Sequence, residues 1–180
     1  SLDGPGVRLV IFLAGCPLRC AYCHNPDMQT TAPSMELTTD EVINKILRHK
    51  PYFQSGGVTF SGGEPLLQSS DILTIMKKLE SEIRFAIDTS GCVMNESVKE
   101  LLSHKPLLLL DIKMPDEARH EKYIKGSLQS TLNFLKEADE QGCKIWLRYV
   151  VLPSINDSES DIEFIVNLAK THKNVEKITL

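Results

Sequence analysis

The sequence predicts an α/β fold, and within that class an incomplete parallel barrel of the (β/α)6 type. Two observations support this prediction. Six short apolar runs rich in Val, Ile and Leu alternate with stretches whose apolar residues recur at helical spacing. The runs are apolar on both faces, which is typical of a parallel sheet whose strands are joined by right-handed helical crossovers. Helices should therefore cover the outside of the sheet, with packed side chains inside.

The predicted elements alternate strictly along the chain. We place strands at residues 7–13, 57–60, 84–87, 107–112, 144–151 and 176–180. Helices should occupy residues 40–49, 71–81, 96–104, 128–141 and 159–172. Asn95 and Ser158 stand where N-caps belong, and Gly142 follows the fourth helix as a stop signal. Six strands are fewer than the eight of a complete barrel, and the same pattern also fits a doubly wound open sheet.

The 180 residues are predicted to form one domain, residues 1–180, that is truncated at both ends. This length is enough for one hydrophobic core, and no shift in composition indicates a second domain. The sequence starts at Ser1 without a methionine, and it stops at Leu180 inside an apolar run. We therefore expect the natural protein to continue beyond both ends.

Composition indicates a protein that binds neither nucleic acid nor a membrane. The net charge is -4, which gives no basic surface for nucleic acid, and every apolar run is too short to span a bilayer. Five cysteines, three of them crowded together, do not fit the disulfide framework of a secreted protein. We therefore expect a cytoplasmic monomer whose partners are small molecules or proteins.

The most distinctive motif consists of Cys16, Cys20 and Cys23, three cysteines within eight residues. Three thiolates would leave one iron of a [4Fe-4S] cluster open to another ligand, which would make the site a reaction centre. Zinc held by the three cysteines and His24 is a second interpretation, although adjacent Cys23 and His24 would strain around one ion. Covalent haem is a third, because residues 20–24 match its attachment pattern, but it leaves Cys16 unexplained. The iron-sulfur cluster uses all three thiolates.

Further polar residues lie where the later strands end. Because the carboxyl ends of parallel strands and their loops converge, we expect these residues at one mouth. The glycines allow close approach of a ligand, the carboxylates suit a cation, and the basic side chains suit an anion; the set is Gly62, Gly63, Glu64, Asp88, Asp111, Lys113 and Arg148. Taken singly, each charged residue also fits a structural ion pair or a helix cap. Cys92 and Cys143 are predicted to be small buried side chains.

Together, Cys16-x3-Cys20-x2-Cys23 and the stretch Ser61-Gly62-Gly63-Glu64-Pro65 resemble the radical S-adenosylmethionine superfamily. Five more stretches are similar, in order and spacing, to the family of pyruvate formate-lyase activating enzymes: residues 2–8, 22–25, 86–91, 110–113 and 146–153. The resemblance extends from Ser1 to Leu180 and is far more specific than any one motif.

This resemblance implies an anaerobic oxidoreductase that cleaves S-adenosylmethionine reductively at a [4Fe-4S] cluster. The resulting 5'-deoxyadenosyl radical would remove a Cα hydrogen from a glycine of pyruvate formate-lyase, and a flavodoxin-like or ferredoxin-like protein would donate the electron. Two alternatives stay open. One is an activase of a different glycyl-radical enzyme, and the other, from a different class, is a non-catalytic zinc-binding protein.

The resemblance also implies roles for individual residues. Cys16, Cys20 and Cys23 would ligate iron, and Lys113 would act with them in catalysis. Residues in contact with S-adenosylmethionine would be Tyr22, Cys23, His24, Gly62, Gly63, Glu64, Ile112, Lys113, Met114 and Arg148. A monovalent cation, Na⁺ or K⁺, would be held beside the cofactor carboxylate by Asp88, Thr89 and Asp111. Asp3 would touch the incoming peptide, and a further cofactor-contacting histidine would lie beyond Leu180.

Overall fold

Six parallel strands form one sheet, in the order in which they occur along the chain. The computed structural model describes residues 3–30, 35–53 and 55–180, so Ser1 and Leu2 lie outside the described residues. The strands are β1 (Arg8–Leu13), β2 (Gly57–Gly62), β3 (Phe85–Thr89), β4 (Leu107–Asp111), β5 (Ile145–Arg148) and β6 (Val175–Thr179).

The consecutive strand order distinguishes the two architectures that the sequence left open. A doubly wound sheet reverses its strand order in the middle, whereas this sheet runs from β1 to β6 without a reversal. Right-handed crossovers then place all the helices on one face. Within the part of the chain that the structure describes, β1 and β6 are the two edges of the sheet. The predicted α/β fold with an incomplete barrel is therefore confirmed, and the doubly wound alternative is wrong.

The helices cover the convex face of the sheet. Asn95 and Ser158 are confirmed as N-caps, because their side chains accept hydrogen bonds from the backbone N–H groups of Val98 and Asp161. None of the described helices has the length and apolar composition that crossing a membrane requires. The helices are α1 (Thr39–His49), α2 (Ser69–Leu79), α3 (Glu96–Ser103), α4 (Glu117–Ile124), α5 (Leu128–Glu140) and α6 (Glu159–Thr171).

Helix α4 was not predicted from the sequence. It has eight residues, of which only His120 and Ile124 are buried, so its apolar spacing is too sparse to recognise. Its start is set locally, since the side chain of Asp116 accepts a hydrogen bond from the N–H of Arg119 at 2.8 Å. It ends at Lys125, whose φ of 59° lies in the left-handed region.

Strand β5 is shorter than the predicted strand at residues 144–151. The side chain of Asn156 accepts from the N–H of Leu152 at 2.6 Å and donates to the carbonyl of Val150 at 3.0 Å. The hydroxyl of Tyr149 donates to the carbonyl of Asn156 at 2.8 Å. These bonds fold the apolar residues after Arg148 into a loop, and periodicity alone does not show such a side-chain bond.

The two faces of the sheet differ in polarity. Alternate strand residues such as Phe60, Ile87 and Leu110 are fully buried in the core that the helices cover. The opposite face is concave and becomes polar towards the carboxyl ends of the strands, where Asp111 of β4 stands opposite Arg148 of β5. The sheet thus separates a dry helix layer from a polar concave face.

A buried ion pair attaches α4 to α6. The guanidinium of Arg119 donates two hydrogen bonds to the carboxylate of Asp161, one of them at 2.9 Å, and a third to the carbonyl of Ile155 at 2.6 Å. The hydrogen bonds from Arg119 lower the pKa of Asp161 to about 2. The side chain of Asp161 is 5% exposed and that of Arg119 is 30% exposed, so water screens this pair only in part.

We predict that Asp161→Asn lowers the free energy of unfolding by about 2 kcal/mol at pH 7. The pKa of Asp161 is lower in the folded protein than the ordinary value of 3.8. Its stabilising effect is therefore complete above that value and is lost as the pH falls towards the folded pKa. Urea unfolding at pH 7 and at pH 3 measures the effect. A loss of the same size at both pH values would contradict this assignment.

Candidate active site

The carboxyl ends of all six strands open into one cavity of about 390 Å³. This size is within the range of pockets that bind small molecules. Each strand or the residue after it contributes at least one side chain to the lining, which is the arrangement expected for a parallel barrel. These contributions include Phe12, Ser61, Asp88, Asp111, Arg148 and Thr179.

The loop after β1 brings three thiols to this cavity. Cys16, Cys20 and Cys23 all line it, and all three are partly buried free cysteines. Burial raises the pKa of Cys16 and of Cys20, and the nearby ammonium of Lys113 opposes that rise. A bound metal centre would remove the thiol protons, since the thiolate is the ligating form. The structure therefore places the three predicted ligands together.

The loop after β1 that carries Cys16, Cys20 and Cys23 is called the cysteine loop. Glycines at the end of β2 let this loop approach the sheet closely. A Cβ on Gly63 would lie 2.2 Å from the carbonyl oxygen of Gly15 and 2.6 Å from that of Met28. The N–H of Gly63 instead donates to the carbonyl of Leu13 at 2.9 Å. Gly62 has a φ of 115°, which side chains rarely adopt. Both glycines line the cavity. The close approach that the sequence predicted for a ligand is made here by the protein's own cysteine loop.

Glu64 does not line the cavity. Its side chain is 1% exposed and accepts hydrogen bonds from the hydroxyl of Thr89 at 2.7 Å and from the hydroxyl and N–H of Ser90 at 2.6 and 3.0 Å. It also caps the turn after β2 by accepting from the N–H of Leu66 at 3.2 Å. The structure thus places this carboxylate behind the cavity wall, where it holds the loop after β3.

Two carboxylates and two cations alternate on the concave face. The Nζ of Lys113 lies 2.6 Å from one carboxylate oxygen of Asp111, and the Nε of Arg148 lies 2.7 Å from the other. Arg148 also donates to Asp88, which in turn accepts from the hydroxyl of Ser61 at 2.9 Å. The predicted cation-binding carboxylates are therefore already paired with side-chain cations. Each side chain of the four is less than 20% exposed.

Burial and the neighbouring Asp111 raise the pKa of Asp88 to about 6. Asp111 has its pKa lowered because Lys113 and Arg148 both donate to it, which outweighs its burial. One carboxylate of the cluster is thus held ionised, while the other can take up a proton near neutral pH.

Most of the predicted site residues come together in the structure. Tyr22 and His24 line the cavity, and the hydroxyl of Tyr22 donates to the carbonyl of Lys113 at 2.9 Å, which ties the cysteine loop to the end of β4. Ile112 and Met114 are fully buried and, like Glu64, are absent from the described cavity lining. The predicted residues that line it are Asp3, Cys16, Cys20, Tyr22, Cys23, His24, Gly62, Gly63, Asp88, Thr89, Asp111, Lys113 and Arg148.

Some lining residues were missed by the sequence analysis. Ser61 lies two residues after Thr59 on the same face of β2, and its hydroxyl donates to Asp88 in the cavity. Tyr149 and Val150, which the apolar pattern places in a strand, line the cavity from the loop after β5. Period-two alternation could have identified Ser61, whereas no local pattern indicates the loop conformation.

The donor set fits an iron-sulfur cluster. Three thiols from one loop face a shared cavity, and the irons of a cubane cluster are each ligated by one cysteine thiolate. Among residues 3–30, 35–53 and 55–180, no group of three His, Cys, Asp or Glu side chains is close enough to hold a single metal ion. A tetrahedral zinc ion needs its donors within 2.0–2.3 Å of one point. The zinc interpretation therefore has no geometric support here.

A family model described as the Radical SAM superfamily matches residues 10–167. The chain belongs to the radical SAM superfamily. The family resemblance that the cysteine spacing and the glycine motif indicated is therefore confirmed. Membership in this superfamily implies a [4Fe-4S] cluster and S-adenosylmethionine, which agrees with the donor set of the cavity.

Two named relatives show which radical SAM enzymes this chain resembles. The pyruvate formate-lyase-activating enzyme of Clostridium pasteurianum is 43% identical over 182 residues, covering 99% of this chain and 76% of that enzyme. A solved domain of pyruvate-formate lyase-activating enzyme from Bacteroides vulgatus matches with a TM-score of 0.63 and 28% identity, covering 70% of this chain and 80% of the other. The protein is thus a radical SAM enzyme related to activating enzymes.

A more distant structure supports the fold. Streptococcus suis SuiB bound to S-adenosylmethionine matches with a TM-score of 0.78 and 20% identity, covering 97% of this chain. The match spans 40% of the SuiB chain, so the likeness concerns the barrel alone. At this identity the similarity shows the fold and carries no statement about substrates.

We predict that Asp111→Asn lowers the pKa of Asp88 by about one unit. The substitution removes the negative charge of Asp111. Asp88 then no longer shares Arg148 with a second carboxylate. Carbon-13 NMR titration of the carboxyl groups, in buffer free of Na⁺ and K⁺, measures the change. Ser61→Ala is the matched control and should shift the pKa of Asp88 upwards, because it removes a hydrogen bond to the ionised form.

Protein stability should follow the same titration. Between the ordinary value of 3.8 and about 6, Asp88 binds more protons in the folded state than in the unfolded state, so its contribution to stability falls as the pH rises through that window. An Asp88 pKa that is unchanged or higher in Asp111→Asn would show that the two carboxylates do not interact.

Proposed function

We propose that the protein is an activase that reductively cleaves S-adenosylmethionine at a [4Fe-4S] cluster and installs a glycyl radical on pyruvate formate-lyase. One observation carries the proposal. Three thiols of one short loop line the same cavity as a cluster of buried charges at the strand ends. The names of relatives such as the Clostridium pasteurianum enzyme support the choice of substrate.

Radical chemistry is proposed because side-chain bases cannot remove a glycine Cα hydrogen. A glycine Cα hydrogen inside a peptide is too weakly acidic for an ordinary side-chain base at neutral pH, so a cofactor radical has to remove it. The bound cluster and S-adenosylmethionine would supply one-electron cleavage of a sulfonium C–S bond, giving the 5'-deoxyadenosyl radical that takes this hydrogen. The chain itself positions the reactants and excludes water.

Each lining residue then has a role in binding or orientation. Cys16, Cys20 and Cys23 would hold iron, with Tyr22 and His24 beside the cofactor on the same loop. Lys113 and Arg148 would bind the cofactor carboxylate, since both basic side chains line the cavity, where they now pair with Asp88 and Asp111. The glycines at positions 62 and 63 would leave room for the methionyl end.

The monovalent cation is part of the same proposal. Na⁺ or K⁺ would be bound by Asp88, Thr89 and Asp111. The carboxylates of Asp88 and Asp111 accept from Arg148 and Lys113, and the hydroxyl of Thr89 donates to Glu64. An anionic ligand that attracts those two basic side chains would leave carboxylate oxygens available to such a cation. Three predicted contacts, Glu64, Ile112 and Met114, would support the cavity wall from behind, because their side chains are buried there.

Partners and location complete the proposal. The protein substrate would enter from the open mouth, where Asp3 lies among the lining residues. A flavodoxin-like or ferredoxin-like protein would supply the electron to a monomeric activase. We infer a cytoplasmic location, because a site built from free thiols requires a reducing compartment.

The cysteine assignment predicts a sharp contrast between variants. Alanine at position 16, 20 or 23 should abolish assembly of the cluster and the formation of 5'-deoxyadenosine after anaerobic reconstitution and reduction. Cys143→Ala is the matched control, since that thiol is fully buried and donates to the carbonyl of Leu102, away from the cavity. Iron and sulfide content, visible absorption and chromatography measure the outcome. A Cys20→Ala protein that still forms both would reject the proposal.

A second experiment tests whether pyruvate formate-lyase is the protein substrate. The reconstituted protein, S-adenosylmethionine, a reductant and pyruvate formate-lyase should give a glycyl-radical doublet in electron paramagnetic resonance spectra. The Cys20→Ala protein should give none. A doublet on a different glycyl-radical enzyme, with none on pyruvate formate-lyase, would keep the reaction class and replace the substrate.

A further inference from the structure

The C-terminal turn of α4 lies directly against the cysteine loop. The N–H of Arg19 donates to the carbonyl of Ile124, and the N–H of Ala21 donates to the carbonyl of Tyr123, both at 2.8 Å. Arg19 and Ala21 flank Cys20. A helix leaves its last carbonyls without partners inside the helix, so these acceptors are available to another segment. The end of α4 thus pairs with the backbone on both sides of Cys20.

A side-chain contact reinforces these backbone bonds. Leu18, between Cys16 and Cys20, is 4% exposed and packs with Met114 and Ile124, both fully buried. Cys16 and Cys20 pack against the same small cluster. Leu18 therefore acts as the apolar anchor of the segment that carries two of the three thiols.

The space for this anchor exists because residue 126 has no side chain. A Cβ on Gly126 would lie 2.4 Å from Cδ2 of Leu18, far inside van der Waals contact. The φ of Gly126 lies outside the left-handed region, so the backbone alone does not require glycine. The requirement comes from the contact with Leu18.

We propose that Gly126 is a positioning residue for the cysteine loop, where the space left by its missing side chain fixes Leu18 and thereby the spacing of Cys16 and Cys20. This inference rests on the proposed function only in assigning iron to those cysteines. The side chain of Leu18 packs on Met114 and Ile124 on one side and lines the cavity on the other. An added methyl group at position 126 therefore pushes Leu18 towards the cavity and shifts the segment that carries Cys16 and Cys20.

The test compares Gly126→Ala with a compensating double variant in the full chain. Gly126→Ala should weaken iron binding about tenfold or more, as loss of a supporting contact does at other metal sites. Chelator competition after anaerobic reconstitution measures this loss, and hydrogen exchange of the Arg19 and Ala21 amides in iron-free protein should become faster. Leu18→Val combined with Gly126→Ala removes the clashing Cδ2 atom but keeps an apolar side chain at position 18, and it should recover both properties in large part.

A second glycine controls for the cost of the substitution itself. Gly142 ends α5 with a φ of 79°, and a Cβ there would meet only the side chain of Lys105, at 3.7 Å. Gly142→Ala should lower the melting temperature while leaving iron affinity and loop exchange unchanged. Wild-type exchange and iron affinity in Gly126→Ala, or no recovery in the double variant, would overturn the proposal.

The two proposals can fail separately. If the wild-type chain assembles no iron-sulfur cluster, the proposed function is rejected. The exchange rates of the Arg19 and Ala21 amides then still decide whether Gly126 orders the loop, because that measurement needs no iron. If the cluster forms equally well in all variants, the function stands and the positioning role is rejected.

Discussion

Charge neutralisation on the concave face is the constraint on which the site depends. Asp88, Asp111, Lys113 and Arg148 come from or directly follow three neighbouring strands, and none of their side chains is more than 20% exposed. A buried charge without a partner costs several kcal/mol, so each of these groups needs its opposite. The pairing requires Asp111 to stand opposite Arg148 across β4 and β5. A slip of β4 or β5 by one residue would turn its charged side chain into the apolar layer under the helices and leave the other charge unpaired.

The charge cluster and the cysteine loop form one electrostatic unit. Lys113 pairs with Asp111, and its backbone carbonyl accepts from Tyr22 of the loop. The same ammonium opposes the rise in the pKa of Cys16 and Cys20 that burial causes. An anionic ligand in the cavity would attract Lys113 and Arg148 away from their carboxylates. Proton uptake by Asp88, whose pKa is about 6, or a bound cation would then restore neutrality.

Sequence periodicity predicted the sheet well because β2, β3 and β4 are buried on both faces and form continuous apolar runs. It failed at α4, where only His120 and Ile124 are buried, and at the end of β5, where Asn156 holds the chain in a loop. The cavity residues were identified by motif and by their position at strand ends. The burial of Glu64 could not be predicted, because its partners Thr89 and Ser90 are 25 and 26 residues away in sequence.

The cysteine loop is held from two sides by contacts within the protein itself. On one side, Gly63 brings the end of β2 against Gly15, and on the other, the end of α4 pairs with Arg19 and Ala21. Fixing the backbone of one residue costs about 1–2 kcal/mol of conformational entropy, so a free loop would lose much of its metal affinity to ordering. When the fold already orders the loop, this entropy is lost during folding and does not reduce metal affinity. The first support requires a residue without a side chain at position 63, and the second, as proposed above, depends on the space left at Gly126.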